Sequence, residues 1–308
     1  MGIIEQAARR LEELRRSGIE VPAALAAPPP AARPSADAAS RPALVQQRPG
    51  MRDISPAGRA TLGAKSKHVH IDLARLATMG YLTPEAPRAQ ISDEFRVIKR
   101  PLLMNVHGKS AAPVDGANLI MVTSSLPGEG KTFVAVNLAI SMAMELDKTV
   151  LLVDADVSRP SVLSRLGLVP SAGLLDLLDN PSVQLTDVLL RTNIDSLALL
   201  PAGTPRGQAT ELLASEAMNR LLDEMATRYA DRILIFDAPP LLPSTESRVL
   251  ATHMGQVILV VAAEGTPQKS VVQALATLES CPVVLPLLNK ASNSEVGFYY
   301  GYYGPLEG

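Results

Sequence analysis

From Asn118 onward, short runs of Val, Ile and Leu alternate with stretches whose apolar residues recur every three or four positions. The runs are LIMVTSS, TVLLVDAD, SLALLPAG, RILIFDAPP, QVILVVAAEG and PVVLPLLNK. Each is nearly continuous in apolar residues, as expected of strands buried on both faces. The helical stretches lie between them, the longest being ELLASEAMNRLLDEMATRYA, 211–230. The pattern predicts an α/β fold over 118–292, with a doubly wound parallel sheet covered by helices on both sides. No internal repeat is visible.

Upstream the pattern changes twice. In MGIIEQAARRLEELRRSG, Ile3, Ile4, Ala7, Ala8, Leu11 and Leu14 share one helical face, which predicts an amphipathic helix within residues 1–18. Proline and alanine make up 20 of the 40 residues from Val21 to Ala60, a composition that cannot build a core, so 19–65 is expected to be a disordered linker. Residues 66–117 hold HIDLARLATMGYLTP and ISDEFRVIKRP, both helical in pattern, with Pro101 expected to close the second. Residues 293–308 form a glycine-broken tail containing YYGYYG, four of the chain's six tyrosines.

Composition narrows the function classes. A formal net charge of −2 gives no electrostatic reason to expect a nucleic-acid partner. The single Cys281 leaves no disulfide framework and no cysteine metal site. The longest apolar run, Val257–Ala263, is far short of the ~20 residues a spanning helix needs. The N-terminal stretch has no apolar signal-peptide core, and Gln6 breaks the myristoylation pattern. A cytoplasmic protein is the expectation.

The first strand runs into SSLPGEGKTF, a glycine-rich turn that opens a helix. Such a turn aims backbone N–H groups and the helix dipole at phosphates. The segment fits G-x-x-x-x-G-K-[ST], with Ser125 in the first glycine position. Ser125, Pro127, Gly128, Glu129, Gly130, Lys131, Thr132 and Phe133 are therefore candidate nucleotide contacts. Lys131 would reach the terminal phosphates and Thr132 would ligate Mg²⁺. Asp154 and Asp156 follow one strand tip and Asp237 another, where open α/β sheets bind ligands. Carboxylates at strand ends can instead cap the next helix. Asn289 ends the last strand, where it either touches the base edge or caps a helix. Ser292 occupies the position at which a guanine reader carries Asp, so the expected nucleotide is ATP.

These motifs together resemble the bacterial tyrosine autokinases of polysaccharide synthesis, with the stand-alone exosortase-associated subgroup the most similar. The resemblance covers about residues 90–308, and more loosely the first 18. Pro127–Thr132 match the Walker A motif, Asp154–Asp156 the second D-x-D motif and Asp237–Pro240 the Walker B strand end. This implies a P-loop NTPase fold of the deviant Walker, MinD-like class. It also implies ATP-dependent autophosphorylation of Tyr299, Tyr300, Tyr302 and Tyr303. In such a site Asp154 accepts or orients the tyrosyl proton, Asp156 helps Thr132 hold Mg²⁺, and Asp237 supports the ion through water. The resemblance further implies a homo-oligomer contact through Asp93, Arg96 and Lys99. The implied partners are a membrane polysaccharide co-polymerase as activator, which would recruit the chain to the inner membrane, and a phosphotyrosine phosphatase. Ala238 and Ser158 depart from the usual motif residues.

Two other readings stand beside this one. A partitioning or cell-division ATPase switch would carry a lysine five positions before Lys131, where this chain has Leu126. A non-catalytic ATP-binding regulator of polysaccharide export would follow if Ala238 or Ser158 damaged catalysis.

Overall fold

The computed structural model describes residues 67–86, 90–228 and 232–291. The expected N-terminal helix, the linker and the tyrosine tail lie outside the described residues. All six strands expected from the sequence are present: β2 Leu119–Ser124, β3 Thr149–Asp154, β5 Leu197–Leu200, β6 Arg232–Asp237, β7 Gln256–Ala262 and β8 Val283–Asn289. Two short additions, β1 Lys67–His68 and β4 Leu190–Arg191, extend one edge. The eight strands run in the order β1-β4-β5-β3-β6-β2-β7-β8. All pairs are parallel except β4 with β5. Two-residue strands carry no periodicity, so the antiparallel edge could not be read in advance.

The sheet separates two apolar layers with the period of two that strands impose. Leu119, Met121, Leu151, Val153, Leu234 and Phe236 face one layer, while Ile120, Val122, Val150, Leu152, Ile233 and Ile235 face the other. The first layer is covered by α5 Leu174–Asp179, α7 Ala209–Leu213, α8 Glu216–Arg228, α9 Thr245–Ala251 and α10 Gln268–Ala276. The second is covered by α1 Leu73–Thr78, α2 Gln90–Val106, α3 Lys131–Ala143 and α4 Val162–Arg165. A further turn, α6 Leu185–Val188, precedes β4.

Two local expectations are corrected, and Lys99 is found in a different setting from a surface charge. The helix α2 does not stop at Pro101 but continues to Val106. Proline removes one N–H, whose partner would be the carbonyl of Val97, and Val97 lies on the exposed face where water can take its place. The long stretch after Glu211 is two helices, because the Ser215 hydroxyl accepts the N–H of Met218 at 3.3 Å and starts a second one. Lys99, expected at an oligomer contact, is buried. Its ammonium donates to the carbonyl of Ser141 at 2.7 Å and pairs with Glu145 at 2.6 Å, fastening α2 to the end of α3. Its long stem covers apolar surface while the charge reaches polar partners. Asp93 and Arg96 form an ion pair with each other on the exposed face of α2.

The chain passes from β2 past β6 to β3, then returns, and only later crosses to β7 on the other side of β2. The strand order therefore reverses at β2, and the crevice at its carboxyl end is where such sheets hold ligands.

Candidate active site

The loop between β2 and α3 is shaped by two glycines with positive φ, Gly128 at 85° and Gly130 at 102°. A side chain at Gly130 would place its Cβ 2.1 Å from Asn289 Nδ2, so strain and space both demand glycine there. The loop is braced from inside and from the far edge of the sheet. The buried Glu129 carboxylate accepts the N–H of Leu126 at 2.6 Å and the hydroxyl of Thr266. Asn289 Nδ2 donates to the Glu129 carbonyl at 2.9 Å, and Lys290 Nζ to the Gly128 carbonyl at 2.7 Å. In this structure Asn289 is a strut of the loop. Ser125 is fully buried, and its hydroxyl has no partner.

Lys131 opens α3 and points its ammonium at Asp156 Oδ2, 2.5 Å away. Asp156 Oδ1 accepts the N–H of Arg159 at 3.2 Å. Thr132, the next residue, shares a 3.0 Å hydrogen bond with the hydroxyl of Ser161.

Asp154 and Asp237 face each other across the paired tips of β3 and β6. Asp154 Oδ2 accepts the N–H groups of Ser161 and Val162, both at 3.0 Å, and so caps α4. Its Oδ1 has no partner, and neither does either oxygen of Asp237. Burial pushes Asp154 from 3.8 up to about 7, helped by the charge of Asp237 and opposed by the two N–H groups. Burial likewise lifts Asp237 to about 6, opposed chiefly by the Lys131 charge. Three buried carboxylate oxygens without donors would each cost stability, and a cation or a proton would relieve them.

Two cavities, each about 330 Å³, border the loop. One is lined by Gly128, Lys131, Asp156, Arg159, Pro240 and Glu246. The other is lined by Gly130, Thr132, Phe133, Tyr81, Ser161 and Arg165. Phe133 packs on Tyr81 with ring centroids 5.0 Å apart. Among the described residues, no group of three or more His, Cys, Asp or Glu has the arrangement of a protein-built metal cage. Mg²⁺ keeps waters and is held through one or two protein groups together with substrate phosphates. Thr132, Asp156 and Asp237 fit this role.

The departures at Ala238 and Ser158 have different surroundings. Ala238 is fully buried in the first apolar layer, and its N–H donates to Val122 at 3.0 Å. The turn it belongs to is held by Thr123 and Ser247, whose hydroxyls both donate to the Pro239 carbonyl. Ser158 is exposed and lines the cavity beside Arg159.

The structure brings Lys131, Thr132, Asp154, Asp156 and Asp237 together, with Asn289 behind the loop. The sequence reading missed Ser161, Thr266, Arg165 and Lys290. Only Ser161, a polar residue opening a helix after Pro160, left a local signal.

The AAA domain family matches residues 117–283. Tyrosine-protein kinase YwqD of Bacillus subtilis (strain 168) is 30% identical over 221 residues, covering 71% of this chain and 88% of that protein. The chain belongs to the bacterial tyrosine-kinase family. The crystal structure of the chimerical protein CapA2B2 superposes on this kinase with a TM-score of 0.57 and 27% identity, over 71% of this chain and 92% of that one. The succinoglycan biosynthesis transport protein ExoP of Rhizobium meliloti (strain 1021) is 29% identical over 225 residues, 71% of this chain. The match spans only 27% of that longer relative. No helix among the described residues is long and apolar enough to cross a membrane.

Proposed function

We propose that this chain transfers the γ-phosphoryl group of ATP to tyrosine hydroxyls, its own Tyr299, Tyr300, Tyr302 and Tyr303 among them. The observation that carries the reading is the convergence at three strand tips. Lys131 and Thr132 stand on a glycine-shaped loop, beside the paired Asp156 and the partnerless oxygens of Asp154 and Asp237. Lys131 leaves Asp156 to follow the phosphates. Thr132, Asp156 and Asp237 are the residues that would hold Mg²⁺, which would supply charge neutralisation at the phosphate oxygens. Asp154 Oδ1, lacking a donor, accepts the proton of the attacking hydroxyl. Catalysis is then mostly positioning and charge stabilisation.

The kinship to a polysaccharide transport protein supports a role in regulating exopolysaccharide polymerisation or export. In this reading the activator is a membrane co-polymerase, which recruits the chain to the inner membrane face, and a phosphotyrosine phosphatase resets it. Asp93 and Arg96 are the exposed charges offered to a homo-oligomer contact. Incubating purified protein with Mg·ATP and blotting for phosphotyrosine tests the core of the proposal. Absence of label, with or without the inner-membrane fraction, would overturn it.

A further inference from the structure

Arg165 is the last residue of α4, and its exposed side chain borders one of the two cavities of about 330 Å³. Gly128, Gly130, Lys131 and Thr132 supply the phosphate-loop part of that lining, while Ser161 and Arg165 supply the α4 part. Lys131 is matched by Asp156, but no carboxylate among the described residues lies within ion-pair distance of the Arg165 guanidinium.

The turn that carries this arginine is fastened at both ends. At its start, Asp154 Oδ2 accepts the N–H groups of Ser161 and Val162, and Val162 itself is buried. At its end, the Arg165 carbonyl accepts an N–H of the Arg75 guanidinium at 3.3 Å. Gly167 follows with φ 75°, and a Cβ there would stand 2.5 Å from the same Arg75 nitrogen. The backbone is thus set on the cavity wall, and the guanidinium keeps its donors for something else.

An arginine on an open surface would be an ordinary solvated charge. This one stands on a concave wall shared with a loop that gathers backbone N–H groups and a lysine, where an anion offsets the charge. Its planar fork of donors matches phosphate oxygens two at a time. Its field reaches the floor of the site as well: burial raises Asp237, and Lys131 and, more weakly, Arg165 oppose that rise. The two cavities also divide the phosphates. Asp156 and Arg159 border the other cavity, Phe133 and Arg165 border this one, and Gly128 and Lys131 border both. A phosphate chain crossing the loop therefore puts its transferred end beside Asp156 and its retained end beside Arg165.

We propose that Arg165 is a ligand of the phosphates that remain with ADP. The inference rests on the nucleotide reading of this site and adds to it a cation from outside the three strand-tip motifs. The contact is the same before and after transfer, so it holds ATP and ADP alike.

The test is calorimetric titration of the full chain with Mg·ADP and with Mg·ATP, for the parent, Arg165→Ala and Arg165→Lys. Alanine should weaken both nucleotides about tenfold or more and by equal factors, the scale of losing charge-assisted hydrogen bonds. Lysine keeps the charge without the fork and should recover only part of the loss. In autophosphorylation the defect should appear in KM for ATP rather than in kcat, the mark of a contact made equally in the ground and transition states. Unchanged ADP affinity would overturn the proposal, and a loss confined to ATP would put the guanidinium on the transferred phosphate instead. Should alanine lower the melting temperature, the lysine variant decides alone, and parental ADP affinity there would overturn the assignment. A parent that binds both nucleotides yet labels no tyrosine would remove the kinase reading, while the titrations would still decide the role of Arg165.

Discussion

Lys131 Nζ rests 2.5 Å from Asp156 Oδ2, with the lysine side chain 13% and the aspartate 5% exposed. The lysine that should bind phosphate is thus held by a carboxylate of the same site. Lys131→Met removes both the phosphate contact and this pair. Autophosphorylation should fall by ~10³-fold or more, the scale of losing a main charge-stabilising contact. The stranded Asp156 should lower the melting temperature of the nucleotide-free protein. Near-normal phosphotyrosine label in this variant would remove the proposed role.

Asp154 and Asp237 give the apo protein a pH dependence of definite sign. Their folded-state pKa values, about 7 and about 6, stand above the ordinary 3.8. The folded chain therefore holds protons that the unfolded chain has released. The stability this contributes is complete below pH ~4 and is lost as pH rises through 6 and 7. Asp237→Asn should raise apo stability at pH 8 by on the order of 1–3 kcal/mol and change little at pH 4. Denaturant melts at the two pH values check this, and equal shifts at both would contradict it. Activity should rise through pH ~7 as Asp154 becomes able to accept a proton.

Gly130 and Asn289 are coupled by contact, so their substitutions should not be additive. Gly130→Ala meets both the positive φ and the Asn289 amide, and ATP affinity should fall about tenfold or more. Adding Asn289→Ala frees space but leaves the backbone strain, so the double variant should recover part of the loss. Isothermal titration of the three proteins decides it; additive losses would show the clash to be unimportant.

Lys99 and Arg96 should separate by readout. Lys99→Met breaks the contacts to Ser141 and Glu145 and should lower the melting temperature. Arg96→Ala lies on the exposed face and should leave melting unchanged while lowering the mass seen by light scattering. If the Arg96 variant keeps its parent's mass, the oligomer contact lies elsewhere.

Phosphorylating Tyr299, Tyr300, Tyr302 and Tyr303 would add roughly −6 to −8 charges to the tail at pH 7. That charge would be repelled by sites built from Asp154, Asp156 and Asp237, so the modified protein should be monomeric and the unmodified protein self-associated. Light scattering on Lys131→Met protein beside fully phosphorylated wild type measures this; equal masses would sink the switch.

The parts of the fold legible in the sequence are those written in neighbouring residues. Continuous runs such as ILIF gave away strands buried on both faces, and the acids ending them marked the crevice. What stayed hidden depends on distant partners. Lys99 reads as a surface charge until Ser141 and Glu145 are brought beside it, 42 and 46 positions along the chain. Lys290 reaches Gly128 across 162 positions. Ser215 was legible in principle, since a hydroxyl before a fresh apolar period can start a helix as easily as ride on one. Pro101 misled because a proline stops a helix only where no solvent can serve the freed carbonyl.

The strut that Lys290 makes to Gly128 also fixes where the tyrosine tail is tied. Tyr299 follows nine positions later, and nine residues of chain extend at most about 32 Å. A chain of that length can span the distance back to the phosphate loop of its own subunit. In the proposed function, so short a connection would give its own site a high effective concentration of tyrosine, before any neighbour competes. Exchange between subunits would then have to be won by assembly, which would need to present a second mouth closer or better aligned than the chain's own.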